Sequence, residues 1–262
     1  MRTFYSLVFF LILSGEILFA QDDNASLAKA AQNPLANMMS FPFQNNTNFG
    51  IGPYDRTQNI LNIQPVLPFF DGRLITRTIF PIISQPNFTQ EEGGTTGLGD
   101  ITFTSFFSPK TENLTWGIGP VINIPTASDP SLGIKEWGIG PSAVILAMPG
   151  SWVVGALVNN IWSLESENLN AFLLQYFVNY NLPSGLYFTT APLITANWNA
   201  DADNKWTIPF GAGAGKIVKV GGKLPVNLQA SAYYNVVTPV YGADWQLRLL
   251  AVVLLPTSIL KK

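Results

Sequence analysis

Short segments that alternate apolar and polar residues follow one another along most of this chain, separated by Gly, Pro, Asn and Asp. In residues 41–49, for example, Phe41, Phe43 and Phe49 share one face and amide side chains share the other. Alternation with a period of two predicts β-strands. Twelve segments have this pattern, at residues 41–49, 58–67, 74–82, 100–107, 116–125, 137–147, 152–162, 172–180, 186–198, 206–214, 226–234 and 245–255.

The residues before the first strand have a different pattern. Arg2, an apolar run over residues 7–13 and Ala20 predict a secretory signal peptide, residues 1–20, cleaved after Ala20. An uncleaved anchor is the alternative, but this run is too short to span a bilayer as a helix, and Glu16 prevents its extension. Residues 21–40 are helix-compatible as far as Pro34. We expect them to form a periplasmic or plug segment, followed by a barrel over residues 41–262.

The composition favours a chain that crosses a membrane with strands. Hydrophobic residues make up 47% of it and charged residues only 11%, against about a quarter charged in soluble domains. The mature chain has no run of eighteen apolar residues that would form a transmembrane helix. We therefore expect an all-β fold, an antiparallel transmembrane β-barrel of about twelve strands, in the outer membrane of a Gram-negative bacterium.

Tryptophan marks the ends of the predicted strands. Trp152 and Trp162 begin and end one segment, and the other tryptophans also lie at or near strand ends. Aromatic girdles at the two membrane interfaces would place them there. Tryptophans of a buried core could also occupy these positions. We favour the girdle because all seven share this placement.

Missing residue types exclude much chemistry. The chain has no Cys and no His, and its net charge is −2. Without histidine a Ser-His lipase is impossible, and the usual zinc ligands are absent. An acidic chain also has no basic surface for nucleic acid. Catalysis by carboxylates alone stays open, although the acidic residues are concentrated in predicted loops. We expect no enzyme activity, no cofactor, no metal and no nucleic-acid partner.

The inward faces of the predicted strands are mostly uncharged amides, with few charges. A lipid-facing Arg at the membrane midplane would cost about 2–4 kcal/mol, so the charges on the strands should point inward. They form either a constriction that orients polar or anionic solutes or a structural ion pair. Glycines on the inward face either make room in the lumen or permit curvature. The candidate lumen-lining residues are Arg77, Asp100, Arg248, Asn62, Gln64, Gln175, Asn227 and Gln229.

A set of ordered motifs covers most of the mature chain, at residues 33–37, 41–44, 52–53, 61–66, 77–81, 97–100, 106–110, 116–120, 125–127 and 137–141. In these motifs the chain resembles the bacterial transporter-like family associated with the meta-pathway of phenol degradation, some members of which carry a neuromedin-U label. The resemblance implies an outer-membrane barrel for the passage of small, aromatic or hydrophobic compounds, with no catalytic residues.

The C-terminus departs from the usual barrel pattern. Barrels commonly end on an aromatic residue that the barrel assembly machinery recognises, whereas this chain ends with residues 253–262, which contain no aromatic residue. The missing aromatic residue bears on how efficiently the barrel assembly machinery inserts the chain into outer-membrane lipid.

The sequence supports three hypotheses of function. The first is a channel or facilitator for small, aromatic or hydrophobic solutes. The second is a structural or adhesive barrel with a closed lumen, which binds partners through loops 84–97, 126–136 and 235–244. The third is a soluble, exported β-sandwich.

Overall fold

The strands form one sheet. The computed structural model describes residues 26–111 and 114–257, so the predictions for the signal peptide, for residues 21–25 and for residues 258–262 lie outside the described residues. The strand segments are β1 (Met39–Ile51), β2 (Arg56–Ile63), β3 (Val66–Phe69), β4 (Leu74–Pro86), β5 (Gly94–Leu98), β6 (Ile101–Phe107), β7 (Thr115–Ile124), β8 (Gly138–Ala147), β9 (Trp152–Ser163), β10 (Asn170–Asn181), β11 (Leu186–Thr190), β12 (Leu193–Asn197), β13 (Trp206–Val220), β14 (Leu224–Val237) and β15 (Trp245–Leu255).

The sheet closes on itself as a barrel. The first strand, β1, pairs with the last, β15, and β9 pairs with β10. In the described residues these segments make twelve antiparallel spanning strands, because β2 with β3, β5 with β6, and β11 with β12 each form one interrupted strand. The predicted twelve-stranded barrel is confirmed, and the β-sandwich hypothesis is wrong because one closed sheet replaces two packed ones.

Two of the interruptions have a local cause in the sequence. Pro65 separates β2 from β3, and Pro192 immediately precedes β12. Proline has no N–H to give to a ladder, so a strand loses pairing where it stands. At the second interruption the Ala191 carbonyl accepts hydrogen bonds from the side chains of Gln175 and Arg248.

The two ends of the barrel differ. At one end the strands are joined by short turns, such as residues 182–185 and 221–223, and we call this the turn end. The opposite end, the loop end, has longer connections such as residues 125–137. Trp152 lies at the turn end and Trp162 at the loop end of the same strand, and both are exposed on the outer face.

The other tryptophans extend these two aromatic bands. At the loop end Trp198 packs edge-on against Trp206 at 5.3 Å between ring centroids, and Trp245 stacks on Phe49 at 4.2 Å. At the turn end Trp152 lies 4.7 Å from Tyr180. Five tryptophans are at least 40% exposed, so they do not belong to a core; these are Trp137, Trp152, Trp162, Trp198 and Trp245.

The N-terminal segment packs inside the barrel at the turn end. Helix α1 (residues 26–32) ends two residues before Pro34, as predicted. On one side of the interior Ala28 is fully buried against Tyr187 and Val252, among others. On the other side Leu35 packs with Phe106 and other inward residues. The two hydrophobic clusters of the interior are therefore joined through residues 26–38, which we call the N-terminal segment.

The predicted loop at residues 84–97 is wrong in its extent. Strand β4 continues to Pro86 and β5 begins at Gly94, which leaves residues 87–93 as the loop. The segment pairs as a strand because its small and polar residues match across the hairpin, as where the Thr96 hydroxyl donates to Ser84 Oγ at 3.0 Å. Within the described residues, no helix has the length and hydropathy of a membrane span.

Candidate functional site: the barrel lumen

Two unfilled spaces lie in the barrel interior formed by the described residues. The inner cavity, of about 160 Å³, lies beside the N-terminal segment and is lined by Gln44, Gln64, Arg77 and Gln175 together with apolar residues. The outer cavity, of about 270 Å³, lies toward the loop end and is lined by Asn48, Gln58, Gln246 and Arg248, among others. The lumen is therefore packed only in part.

Arg77 points into the inner cavity from β4. Its register neighbours are Val66 on one side and Thr104 on the other, which also face inward. Its Nη2 donates to the Gln64 side-chain oxygen, and the side chain as a whole is half-buried. The guanidinium has five N–H donors. Among the described residues, Gln64 accepts a hydrogen bond from one of these N–H groups. The other N–H groups of Arg77 are therefore available to a solute in the cavity.

Arg248 on β15 is held more completely. Its side chain is only 3% exposed. Its three nitrogens donate to Asn46 Oδ1 at 3.1 Å, to the Ala191 carbonyl at 2.7 Å and to Gln246 Oε1 at 3.1 Å. The guanidinium also lies 4.8 Å from the centre of the Tyr233 ring, a cation–π distance. Arg248 thus ties β15 to the interruption between β11 and β12 and has little freedom to move.

Amide side chains connect the two cavities along β1. Gln44 donates to Asn46 Oδ1 at 3.2 Å, and Asn46 also accepts from Arg248. Asn48 accepts from Gln246 at 2.8 Å and donates to Gln58 at 2.7 Å. We call Gln44, Asn46 and Asn48 the amide chain. Alternate residues of a strand share one face, so this chain is a continuous polar track on the inner wall.

Asn227 and Gln229 were predicted to line the lumen, and both meet Tyr187. The Tyr187 hydroxyl lies 2.9 Å from Asn227 Oδ1 and 3.1 Å from Gln229 Oε1. Tyr187 and Asn227 are almost completely buried. These amides therefore brace the wall between β11 and β14, under the N-terminal segment.

The described hydrogen-bond partners of Asp100 are backbone groups of a loop and not the two arginines. Its carboxylate accepts backbone N–H groups of Ala127 at 3.0 Å, Ile134 at 2.7 Å and Lys135 at 2.9 Å. These bonds organise the loop at residues 125–137. The structural ion pair considered for Asp100 is therefore replaced by three charge-assisted bonds to the loop backbone.

The remaining candidates fall on the inner wall. Asn62 pairs in register with Gln44 and with Pro81 across the two neighbouring strands. Gln64 and Gln175 line the inner cavity with Arg77, and the Gln175 amide donates to the Ala191 carbonyl at 3.4 Å. The structure thus brings Arg77, Gln64 and Gln175 together, places Arg248 at the outer cavity and separates Asp100 from them.

Sequence reasoning missed the inward aromatic residues. Tyr187 and Tyr233 were not among the candidates, although each lies at an inward alternate position of a predicted strand. A sequence pattern that would have indicated them is a glycine paired in register with each tyrosine on the neighbouring strand. A Cβ on Gly215 would overlap the Tyr187 ring, so only glycine leaves room for it. Similarly, a Cβ on Gly117 would lie 3.2 Å from Leu35 of the N-terminal segment. At these two positions inward glycine makes room in the lumen.

A family model matches most of the barrel. The model described as "Putative MetA-pathway of phenol degradation" matches residues 41–249. No curated protein sequence matches the chain.

Two solved structures share the barrel architecture. An outer-membrane channel from Pseudomonas putida F1 superposes with a TM-score of 0.59 at 17% identity, covering 83% of this chain and 94% of that one. The NanC porin superposes with a TM-score of 0.54 at 10% identity, covering 83% of this chain and 98% of that one. At these identities the likeness shows the fold. The chain described here accordingly has the closed, twelve-stranded antiparallel β-barrel fold.

Proposed function

The chain belongs to the family of the MetA pathway of phenol degradation, and on this premise we propose that it is an outer-membrane channel for small solutes with an apolar, aromatic part. Short turns of outer-membrane barrels face the periplasm, which places the loop end outside the cell. A solute would then enter the outer cavity, follow the amide chain and reach the inner cavity.

The observation that carries this proposal is the pair of unfilled cavities joined by the amide chain. A barrel that served only as a scaffold would gain stability by filling this space, because voids forfeit packing contacts. The amide chain offers hydrogen bonds to water and to polar groups without attracting one charge strongly. The inner cavity adds apolar walls, including Phe106, Leu157 and Phe177.

The solute class is inferred from these walls. An apolar, aromatic body would bury surface against Phe106 and Phe177, whereas a sugar would leave its hydroxyls without enough partners there. The Pseudomonas putida protein is called an outer-membrane channel and NanC a porin. These names support passage of a solute without identifying it.

The N-terminal segment is the proposed gate. It lies in the lumen on the turn side of the inner cavity, and its Ala31, Gln32, Asn33 and Pro34 line that cavity. A solute leaving toward the periplasm has to pass this segment. The Lys29 ammonium donates to the Gly150 carbonyl at the turn between β8 and β9, which fastens the segment to the wall.

Single-channel conductance of the refolded protein in planar bilayers tests the proposal. Gln44→Trp would fill the inner cavity without changing any charge, and Leu249→Trp places the same group on the lipid-facing side of the wall, where Leu249 is exposed. We expect discrete steps from the wild type, a several-fold smaller step for Gln44→Trp and an unchanged step for Leu249→Trp. Swelling of liposomes in phenylalanine, an aromatic solute whose charges keep it from crossing lipid readily, should follow the same order.

A second function is favoured by the same segment. Because the N-terminal segment packs on both sides of the interior, a permanently closed barrel that binds partners through its loops would have this arrangement too. The test is whether the wild type, inserted correctly as judged by heat modifiability, conducts in planar bilayers. If it does not conduct, and still does not conduct after the N-terminal segment is released, the loop-binding function is favoured over the channel.

A further inference from the structure

The inner cavity combines one cationic side chain with an apolar pocket. We propose that it binds aromatic carboxylates, with the carboxylate on the Arg77 guanidinium and the ring against Phe106 and Phe177. The inference rests on the proposed channel function and names the charge and the shape of the solute that the lumen holds.

The first step of the argument is charge. Among the described residues that line the inner and outer cavities, two are arginines, Arg77 and Arg248, and none is acidic. A partly desolvated cation without a carboxylate partner is stabilised by an incoming anion, because the interaction is weakly screened there. Asp100, the acidic residue predicted for the lumen, is occupied by backbone N–H groups of the loop.

The second step is availability. Arg248 donates from all three nitrogens, stacks on Tyr233 and is nearly fully buried. Arg77 is half-buried and is bonded, among the described residues, to Gln64. A guanidinium with free N–H groups binds a carboxylate through two parallel hydrogen bonds. Arg77 is therefore the anchor, while Arg248 contributes a fixed positive charge along the path.

The third step is size. The inner cavity measures about 160 Å³, and an apolar cavity of about 150 Å³ accommodates one benzene ring. Val66, Phe106, Leu157 and Phe177 supply the apolar wall of the inner cavity. Gln64 is bonded to the guanidinium, Gln175 lines the same cavity, and each amide group, with two N–H donors, can offer a donor to a carboxylate oxygen. A single ring with one carboxylate matches both the volume and the division between charged and apolar walls.

Two measurements with full-length protein test this inference. Titration calorimetry in detergent compares benzoate with benzyl alcohol, which lacks the charge, with acetate, which lacks the ring, and with inorganic phosphate. We expect benzoate to bind at least tenfold more tightly than the other three. Arg77→Gln should lose at least tenfold in benzoate affinity, Arg77→Lys should keep part of it, and Lys223→Gln, an exposed change of the same charge in a turn, should keep all of it.

The second measurement is the reversal potential in a potassium benzoate gradient across a planar bilayer. The wild type should prefer the anion, and Arg77→Gln should lose most of that preference while still conducting. Equal benzoate binding by the wild type and Arg77→Gln would overturn the inference even if both conduct. Benzoate binding that depends on Arg77 in a barrel that never conducts would instead contradict the channel function and leave the site in place.

Discussion

Gln32 of the N-terminal segment and Asn181 at the end of β10 exchange two side-chain hydrogen bonds, of 2.9 and 3.0 Å. Asn181 is almost completely buried and also donates to the Ser151 carbonyl at 3.2 Å. The pair joins the proposed gate directly to the barrel wall, so it should control how readily the segment leaves the lumen.

Removing one partner should therefore favour the open channel. Gln32→Leu loses both bonds, which together contribute about 1–2 kcal/mol, enough to change an equilibrium constant by about five- to thirtyfold. We expect a higher open probability in single-channel recordings. Asn37→Leu changes an exposed residue of the same segment and should leave gating unaltered. Equal open probability in Gln32→Leu and wild type would mean that this pair does not hold the gate.

A short, cleavable crosslink at the same place should lock the gate. The chain has no cysteine of its own, so Gln32→Cys combined with Asn181→Cys introduces a single pair of thiols. Two amide side chains that meet end to end hold their Cα atoms too far apart for a direct disulfide, so the thiols are joined with an ethane-bridged bis-methanethiosulfonate. We expect the crosslinked protein to be silent in bilayers and to conduct after reduction, while each single cysteine variant treated with the same reagent conducts regardless of reductant. A lumen that conducts equally well with the crosslink formed would place the permeation path away from the N-terminal segment.

Tyr187→Phe should destabilise the barrel without opening it. The change removes the hydroxyl, whose single proton is donated to one of the two amide oxygens at a time, and leaves the buried Asn227 oxygen, 2.9 Å away, without this donor. Leaving such a group unsatisfied costs about 1–3 kcal/mol. The measurement is the urea midpoint of unfolding in lipid vesicles. Tyr234→Phe removes a hydroxyl from the exposed outer face and should unfold like the wild type; a matching midpoint for Tyr187→Phe would show that the brace is dispensable.

Val158→Arg should reveal the membrane midplane on β9. Val158 faces outward between Trp152 and Trp162, which mark the two interfaces. An arginine at the midplane of a lipid-facing wall costs about 2–4 kcal/mol, and the cost near an interface falls to about 0–1 kcal/mol. Leu164→Arg, in the exposed loop beyond Trp162, should therefore be nearly neutral. The free energy of unfolding in lipid measures both, and equal values would contradict the assigned membrane position.

The strand pattern could be predicted because lipid and lumen impose opposite polarity on alternate residues. In β7, Trp116, Ile118 and Ile122 fall outside while Gly117 and Asn123 fall inside, and the period of two is already visible in the sequence. The inward position of Arg77 follows from the same rule. Because a lipid-facing charge is costly, the side chain points into the lumen.

The partners of the inward residues could not be predicted in the same way. Asp100 reaches the backbone of a loop more than twenty residues later, and the path of that loop is set by tertiary packing. Arg248 finds the Ala191 carbonyl only because proline interrupts the ladder beside it. Alternation determines which way a side chain points, whereas its bonding partner depends on the curvature of the closed barrel.

Glu136 makes the loop end sensitive to acid. Its carboxylate accepts hydrogen bonds from Ser163 at 2.6 Å, from Ser166 at 2.7 Å and from Asn168 at 2.7 Å, and these bonds hold the pKa of Glu136 below its ordinary value. A depressed pKa contributes stability above the ordinary pKa, about 4.3 for Glu, and that stability is lost as the pH falls through the lower value of the folded state. We expect the loop at residues 164–169 to loosen in that acidic range and to stay ordered at neutral pH. A spin label on Leu164 should become mobile below about pH 4, and Glu136→Gln should raise its mobility already at pH 7. A label that keeps the same mobility in both proteins at every pH would show that Glu136 does not hold this loop.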